Sequence, residues 1–247
     1  YGATVVRVES AKRLDTLRLS PPWQFAYPHP EGAAGFQSAN ANKLGITLDL
    51  DSQAGRAVAL DLVRWADVVT ESFAPGVMDA WKLGWDDLRA VNPALIMLSS
   101  CIMGQTGPWR NFAGFGRLAA SLAGLQSLAS WPGRPPAGPF GAYTHAIASR
   151  YNAVAILAAL EHRARTGQGQ YIDLSQTEAA LHFLAPAFLD WTVNGRIPEP
   201  IGNADADHLV HGIFRADGDD RWLAIAARDE GQRRALCLAI GRPDLGD

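Results

Sequence analysis

Residues 45–72 read GITLDLDSQAGRAVALDLVRWADVVTES: a short apolar run, a longer run with helical spacing, and a second short apolar run. GITLDL (45–50) and ADVVTES (66–72) have the length and β-branched character of strands. Between them Ala57, Leu60, Leu62, Val63 and Ala66 recur largely at the intervals of one helix face, after a cap at Asp51 or Ser52. Strand, helix, strand at this spacing predicts a right-handed parallel crossover.

The same alternation extends outward. ATVVRVE (3–9) is another β-branched run, GWDDLRAVN (84–92) reads as a helix, and PALIMLSSC (93–101) as the next buried strand. The pattern predicts an α/β fold, Rossmann-like, in which residues 3–9, 45–50, 66–72 and 94–99 are neighbouring strands of one parallel sheet with helices on both faces. WPGRPPAGPFGAY (131–143) holds too much Pro and Gly for a helix or a central strand and is read as a connection. RARTGQGQYIDLS (163–175) reads as a helix end, a tight turn and a strand, with Arg163 and Arg165 complementing the helix dipole. The first strand starts almost at the first residue, and the last helix is followed at once by the chain's end. The pattern therefore predicts a piece of a larger fold.

Composition narrows the function. With 22 basic and 25 acidic residues among 247, a formal charge of -3 and no basic run, the chain is a poor nucleic-acid binder. No stretch of 18 uninterrupted apolar residues occurs, and YGATVVRVES lacks the layout of a signal peptide, so no membrane partner and a cytoplasmic location are expected. Cys101 and Cys237 lie far apart in apolar surroundings and read as buried thiols. No Cys/His spacing suits a metal.

ADVVTESFAPGVMDAWKLGWDDLRAVNPALIMLSSCIMGQTGP (66–108), followed by AILAALEHRARTGQGQYIDLSQTEAAL (155–181), resembles the family III coenzyme A transferases. GATVVRVES, NANKLGITLDL and the Gly-Asn of IGNADADHLVHGIF also fit the family's course, so the resemblance runs from about Gly2 to Leu245. It implies a homodimer of two interlaced rings and a nucleotide-binding-like domain that supplies most contacts to coenzyme A. Residues 1–190 would form that CoA-binding domain, lacking its opening segment. Residues 191–247 would be a linker and the start of a smaller second domain.

For chemistry, the resemblance implies an Asp that attacks the thioester, forms a mixed anhydride and becomes an enzyme-bound CoA thioester before a second acid takes the CoA. That Asp stands ten residues before AILAAL, and the position holds His145 here. An acyl-imidazole is reactive, but imidazole cannot carry the bound thioester. In the racemase branch the same Asp is an acid/base partner to a His, and imidazole suits proton transfer. That second His falls near Gln126 or Ser127, neither of them a base. Outside the resemblance, a lone His at a helix start is usually a polar or capping group.

The resemblance places coenzyme A at Ser72, Phe73, Ala74, Pro75 and Gly76, a turn at the end of a parallel strand, with Leu48 as an apolar wall and Met103 nearby. Two family arginines match Ala80 and Ser10, which leaves Lys12, Arg13 or Lys82 to supply phosphate charge. GQTGPW (104–109) has glycines that let backbone amides approach a thioester. Leu181, Phe183, Leu184 and Phe188 read as core or dimer interface. Three functions stay open: an enzyme moving CoA between carboxylic acids, a catalytically impaired CoA-binding paralogue or fragment, and racemase-type proton transfer on an acyl-CoA.

Overall fold

A computed structural model of the chain describes residues 2–139, 141 and 143–246. In chain order the helices are α1 (Ala34–Ala39), α2 (Gln53–Trp65), α3 (Val77–Ala80), α4 (Trp85–Val91), α5 (Gly116–Leu122), α6 (Leu125–Leu128), α7 (Tyr143–Thr166), α8 (Gln176–Phe183), α9 (Ala185–Asn194) and α10 (Glu230–Ala239). The strands are β1 (Val6–Glu9), β2 (Leu44–Thr47), β3 (Val68–Glu71), β4 (Ile96–Cys101), β5 (Gln170–Ser175), β6 (Val210–Arg215) and β7 (Trp222–Ala227). Contacts group the chain into two units, Tyr1–Asn111 with Asn152–Leu174, and Phe112–Tyr151 with Ser175–Asp247.

The first unit is the α/β part. Its helix α2 starts where the sequence predicts: the Ser52 hydroxyl accepts the Gly55 N–H at 3.0 Å, satisfying one of the amides a helix start leaves open. The α2 face that carries Val63 packs with Leu83, Leu88, Leu95 and Met97 into a core, flanked by Leu60, Val69, Trp81 and Trp85. Strand β4 is buried along its whole length, which is why IMLSSC carries no alternating polar face.

The predicted single sheet is corrected. β1 pairs with β2 in parallel, Val6 opposite Leu44, and β3 pairs with β4 in parallel, Val68 opposite Ile96, but these are separate ladders. β5 joins the second on the far side of β4, giving the order β3-β4-β5. The strand-helix-strand unit at 45–72 thus leads from one ladder to the other and does not close between neighbouring strands. Length and period fix that a run is a strand. They carry no information on which distant backbone completes its hydrogen bonds.

Helix α7 carries Arg163 and Arg165 in its last turn, as expected. Arg163 also reaches the Asp67 carboxylate at 2.9 Å and the carbonyls of Asp67 and Ala94, tying the helix end to the starts of β3 and β4. The Thr166–Gly169 turn then delivers β5, with the Gln170 N–H on the Leu95 carbonyl at 3.2 Å. Gly169 is required there, because a Cβ would lie 2.0 Å from the Leu95 oxygen.

In the second unit α5 packs on α8, and the N-terminal half of α7 is anchored by Thr144, fully buried, whose hydroxyl donates to the Gly116 carbonyl at 3.0 Å. The stretch 131–139 has no helix or strand, as its prolines predict; Phe140 and Ala142 lie outside the described residues. β6 and β7 form an antiparallel hairpin that contacts α10, where Cys237 is buried. Cys101 and Cys237 are both free and buried, as read from the sequence. Leu181, Phe183 and Phe188 are exposed, so they are not core within this chain.

Candidate active site

The first unit concentrates polar chemistry where β3 and β4 end. A cavity of about 350 Å³ is lined there by Glu71, Ala74, Pro75, Gly76, Met78, Asp79, Trp85, Ser99, Gln105, Thr106, Arg110 and Tyr171, among others. One wall is the turn that follows β3. Gly76 takes φ +82°, a left-handed conformation that a side chain resists, and from it α3 begins. The opposite wall is the glycine-rich segment after β4, where Gly104 and Gly107 also have positive φ. Trp85 and Tyr171 stack across one side, with ring centres 5.9 Å apart.

The floor is acidic and hydrogen-bonded. Ser99, 1% exposed, bonds to both the Glu71 carboxylate and the Tyr171 hydroxyl. Glu71 also accepts the Phe73 N–H at 2.6 Å. Burial pushes the Glu71 carboxyl above the usual carboxylate range, and the nearby Asp173 and Asp79 charges add to this. Burial likewise raises the Tyr171 phenol and the Cys101 thiol, keeping both protonated at neutral pH. Arg110, at the rim, is the cation among the lining residues.

Among the expected coenzyme A contacts, Ala74, Pro75 and Gly76 line this cavity. Ser72 and Phe73 belong to the same turn, and Phe73 sets its ring edge-on to Trp81 at 5.2 Å. Leu48 follows β2 in the other ladder, half-buried, its N–H on the Glu9 carbonyl. Met103 follows β4, and its backbone bonds the Cys101 sulfur. Of the basic candidates, Lys12 pairs with Asp49 at 2.7 Å, which raises its pKa, while Arg13 and Lys82 are exposed.

His145 belongs to the second unit, at the third position of α7. Its ring is solvent-accessible, yet the surrounding protein removes enough water to push its pKa below the usual imidazole value. At neutral pH the imidazole is therefore mainly uncharged. Gln126, where the racemase branch would need a base, donates its amide to the Arg117 carbonyl at 3.2 Å. A larger concavity, about 610 Å³, runs along α9 beside Asp190. It offers little chemistry, because Asn194 and Arg196 already hold the Asp190 carboxylate and depress its pKa.

Sequence reading missed Glu71, Trp85, Ser99, Tyr171 and Asp173. A signal existed: in QYIDLS, Tyr171 and Asp173 are two apart, and so emerge on one face of a strand. Among the described residues no group of three or more His, Cys, Asp or Glu could hold a metal ion, and no helix is long and apolar enough to cross a membrane.

Comparison with known proteins identifies the family. The family model described as CoA-transferase family III matches residues 1–247. A succinyl-CoA–L-malate CoA-transferase alpha subunit from Chloroflexus aurantiacus is 36% identical over 99% of this chain and 56% of its own length. An acetyl-CoA:oxalate CoA-transferase from Acetobacter aceti is 31% identical over 99% of this chain and 61% of its own. The crystal structure of a CAIB/BAIF family protein from Brucella suis superposes with a TM-score of 0.89 at 33% identity, covering 99% of this chain and 64% of that one. The chain thus spans somewhat more than half the length of the relatives it matches. It belongs to the CoA-transferase family III.

Proposed function

We propose that this chain is the CoA-binding part of an acyl-CoA:carboxylate CoA-transferase, moving coenzyme A between two carboxylic acids. The observation that carries the reading is the family match along the whole chain, from relatives whose names are those of CoA-transferases. The turn at Ser72–Gly76 and Leu48 hold the adenosine end, with Met103 toward the thioester. No metal is needed. Residues 1–190 supply this domain and residues 191–247 open a smaller one. The working assembly is a cytoplasmic homodimer, for which exposed Leu181, Phe183 and Phe188 offer apolar surface.

In the chemistry, the thioester carbonyl is attacked by a nucleophile at position 145. His145 is uncharged and accessible, so its ring nitrogen can add to the carbonyl and expel the CoA thiolate. The acyl-imidazole so formed is open to water, and no CoA thioester can form on imidazole. Transfer by the native chain is therefore slow. A second reading rests on the same residue: a CoA-binding paralogue that has lost transfer. Racemase-type proton transfer is the weaker variant, since Gln126 cannot act as the second base.

One experiment separates these readings. Free CoA is titrated by calorimetry, and CoA transfer from succinyl-CoA to a panel of carboxylates is followed by mass spectrometry, in the native chain, Gly76→Trp and His145→Asp. The proposal expects CoA binding that Gly76→Trp abolishes, and transfer that His145→Asp raises by orders of magnitude, since losing a covalent nucleophile costs roughly 10⁶-fold in a worked hydrolase case. Binding without transfer in either protein supports the paralogue. Equal transfer by native chain and Asp variant shows that the nucleophile lies elsewhere.

A further inference from the structure

The two walls of the cavity are joined by a chain of side-chain hydrogen bonds across the sheet. Asp173, on β5, accepts the Gln105 backbone N–H at 2.8 Å through Oδ1 and the Thr106 hydroxyl at 3.1 Å through Oδ2. The Gln105 side chain then points the other way, and its amide donates to the Phe73 carbonyl and to Glu71 Oε1, each at 3.4 Å. Glu71 holds the Phe73 N–H from the opposite side. Phe73 is therefore gripped at both backbone groups, one of them by a residue that Asp173 positions.

The segment that Gln105 belongs to is otherwise fixed at its start, where the backbone of buried Gly104 bonds the Cys101 sulfur. Gly104 and Gly107 flank Gln105 and Thr106 with φ of +82° and +84°, and Thr106, Gly107, Pro108 and Trp109 are all exposed. Glycines widen the range of backbone paths, and exposed residues supply no apolar anchor. Asp173 holds both Gln105 and Thr106, so it supplies the restraint on the path beyond Gly104.

We propose that Asp173 is a positioning residue that couples the Gly104–Gly107 segment to the Phe73–Gly76 turn, so that both walls of the cavity hold one arrangement. The coupling is a property of the fold. Its consequence for ligand binding rests on the reading above that coenzyme A is held at this turn.

Hydrogen-exchange mass spectrometry on the full chain tests the coupling. In Asp173→Ala, amides of 105–107 and also those within 74–77 (Ala74, Gly76 and Val77, since Pro75 has none) exchange about tenfold faster or more, the ratio expected for losing bonds to a charged acceptor. Amides of β4 stay protected, which separates this local release from unfolding. Gln105→Ala releases 74–77 alone, leaving the Thr106 bond to Asp173. Asp173→Asn, which keeps a carbonyl acceptor for the Gln105 N–H, restores most of the protection. If Asp173→Ala frees only 105–107 while 74–77 exchange at the native rate, the proposal fails. Calorimetry with free CoA adds a separate readout. Native binding that weakens about tenfold in Asp173→Ala and recovers in Asp173→Asn supports positioning of the ligand turn. Native binding unchanged in the Ala variant overturns that part. A native chain that does not bind CoA refutes the ligand reading, and the exchange data still decide the coupling.

Discussion

Replacing Gly169 by Ala asks how closely β5 is set against β4. The added Cβ would stand 2.0 Å from the Leu95 oxygen and 2.8 Å from two backbone carbons, all main-chain atoms in a buried strand register. Ordinary contact needs more than about 3 Å, so the start of β5 must retreat by about 1 Å or more. That movement breaks the Gly169 N–H bond to Pro93 and the Gln170 N–H bond to Leu95, now 3.4 Å and 3.2 Å. Two backbone hydrogen bonds at about 1 kcal/mol each, with overpacking of about 1–3 kcal/mol, give a loss of about 3–5 kcal/mol. For a chain of this size that lowers Tm by about 6–20 °C. The control is Gly167→Ala, two residues earlier, where φ is +74° but no atom lies within 4 Å of the new Cβ. There only the left-handed backbone is strained, at about 1 kcal/mol and a few degrees. Thermal unfolding of both variants by circular dichroism decides the matter. A Gly169→Ala protein that melts no lower than Gly167→Ala would refute the steric argument.

Two further outcomes are expected. Burial raises the Glu71 pKa in the folded state, so its protonated form is favoured there, and the stability it contributes is present below the unfolded carboxylate pKa and lost as pH rises through the folded value. Glu71→Gln, which cannot ionise, therefore gains Tm relative to the native chain as pH climbs from about 4 to 7, and a difference that shrinks over that range would contradict the assigned cause. Thr144→Val removes the fully buried hydroxyl that the Gly116 carbonyl accepts, and should lower stability by about 1–3 kcal/mol in urea unfolding; an unchanged midpoint would contradict the role given to this bond.

What the sequence disclosed and what it hid divide along a physical line. Helix α2 was legible because its signals are local: Ser52 lies three residues from the amide it caps, and the apolar face repeats within the same segment. Strand β4 was legible for the same reason, from the apolar run at 94–98. The division of the strands into two ladders was not, because hydrogen bonding between strands is settled by residues far away in the chain. The cavity was half legible. Pro75 and Gly76 mark a turn by their own chemistry, whereas the link from Gln105 to Asp173 spans 68 positions and has no counterpart in local pattern. His145 was visible as a departure from a resemblance, and its lowered pKa depends on the protein packed around it.

The position of β5 in the chain sets a time for the ribosome. β4 ends at Cys101 and its outer neighbour β5 begins at Gln170, after about 70 further residues. At roughly 5–20 residues per second, translation takes about 4–14 s to deliver the strand that covers that edge. During this interval β3 and β4 can pair, since both have emerged, but the far edge of the strand that is wholly buried in the finished fold stays open. An uncovered apolar edge recruits other strands. This chain therefore exposes an aggregation-prone edge in the seconds between the synthesis of its fourth and fifth strands. Conditions that slow translation through α7 would lower its soluble yield without touching the stability of the finished protein.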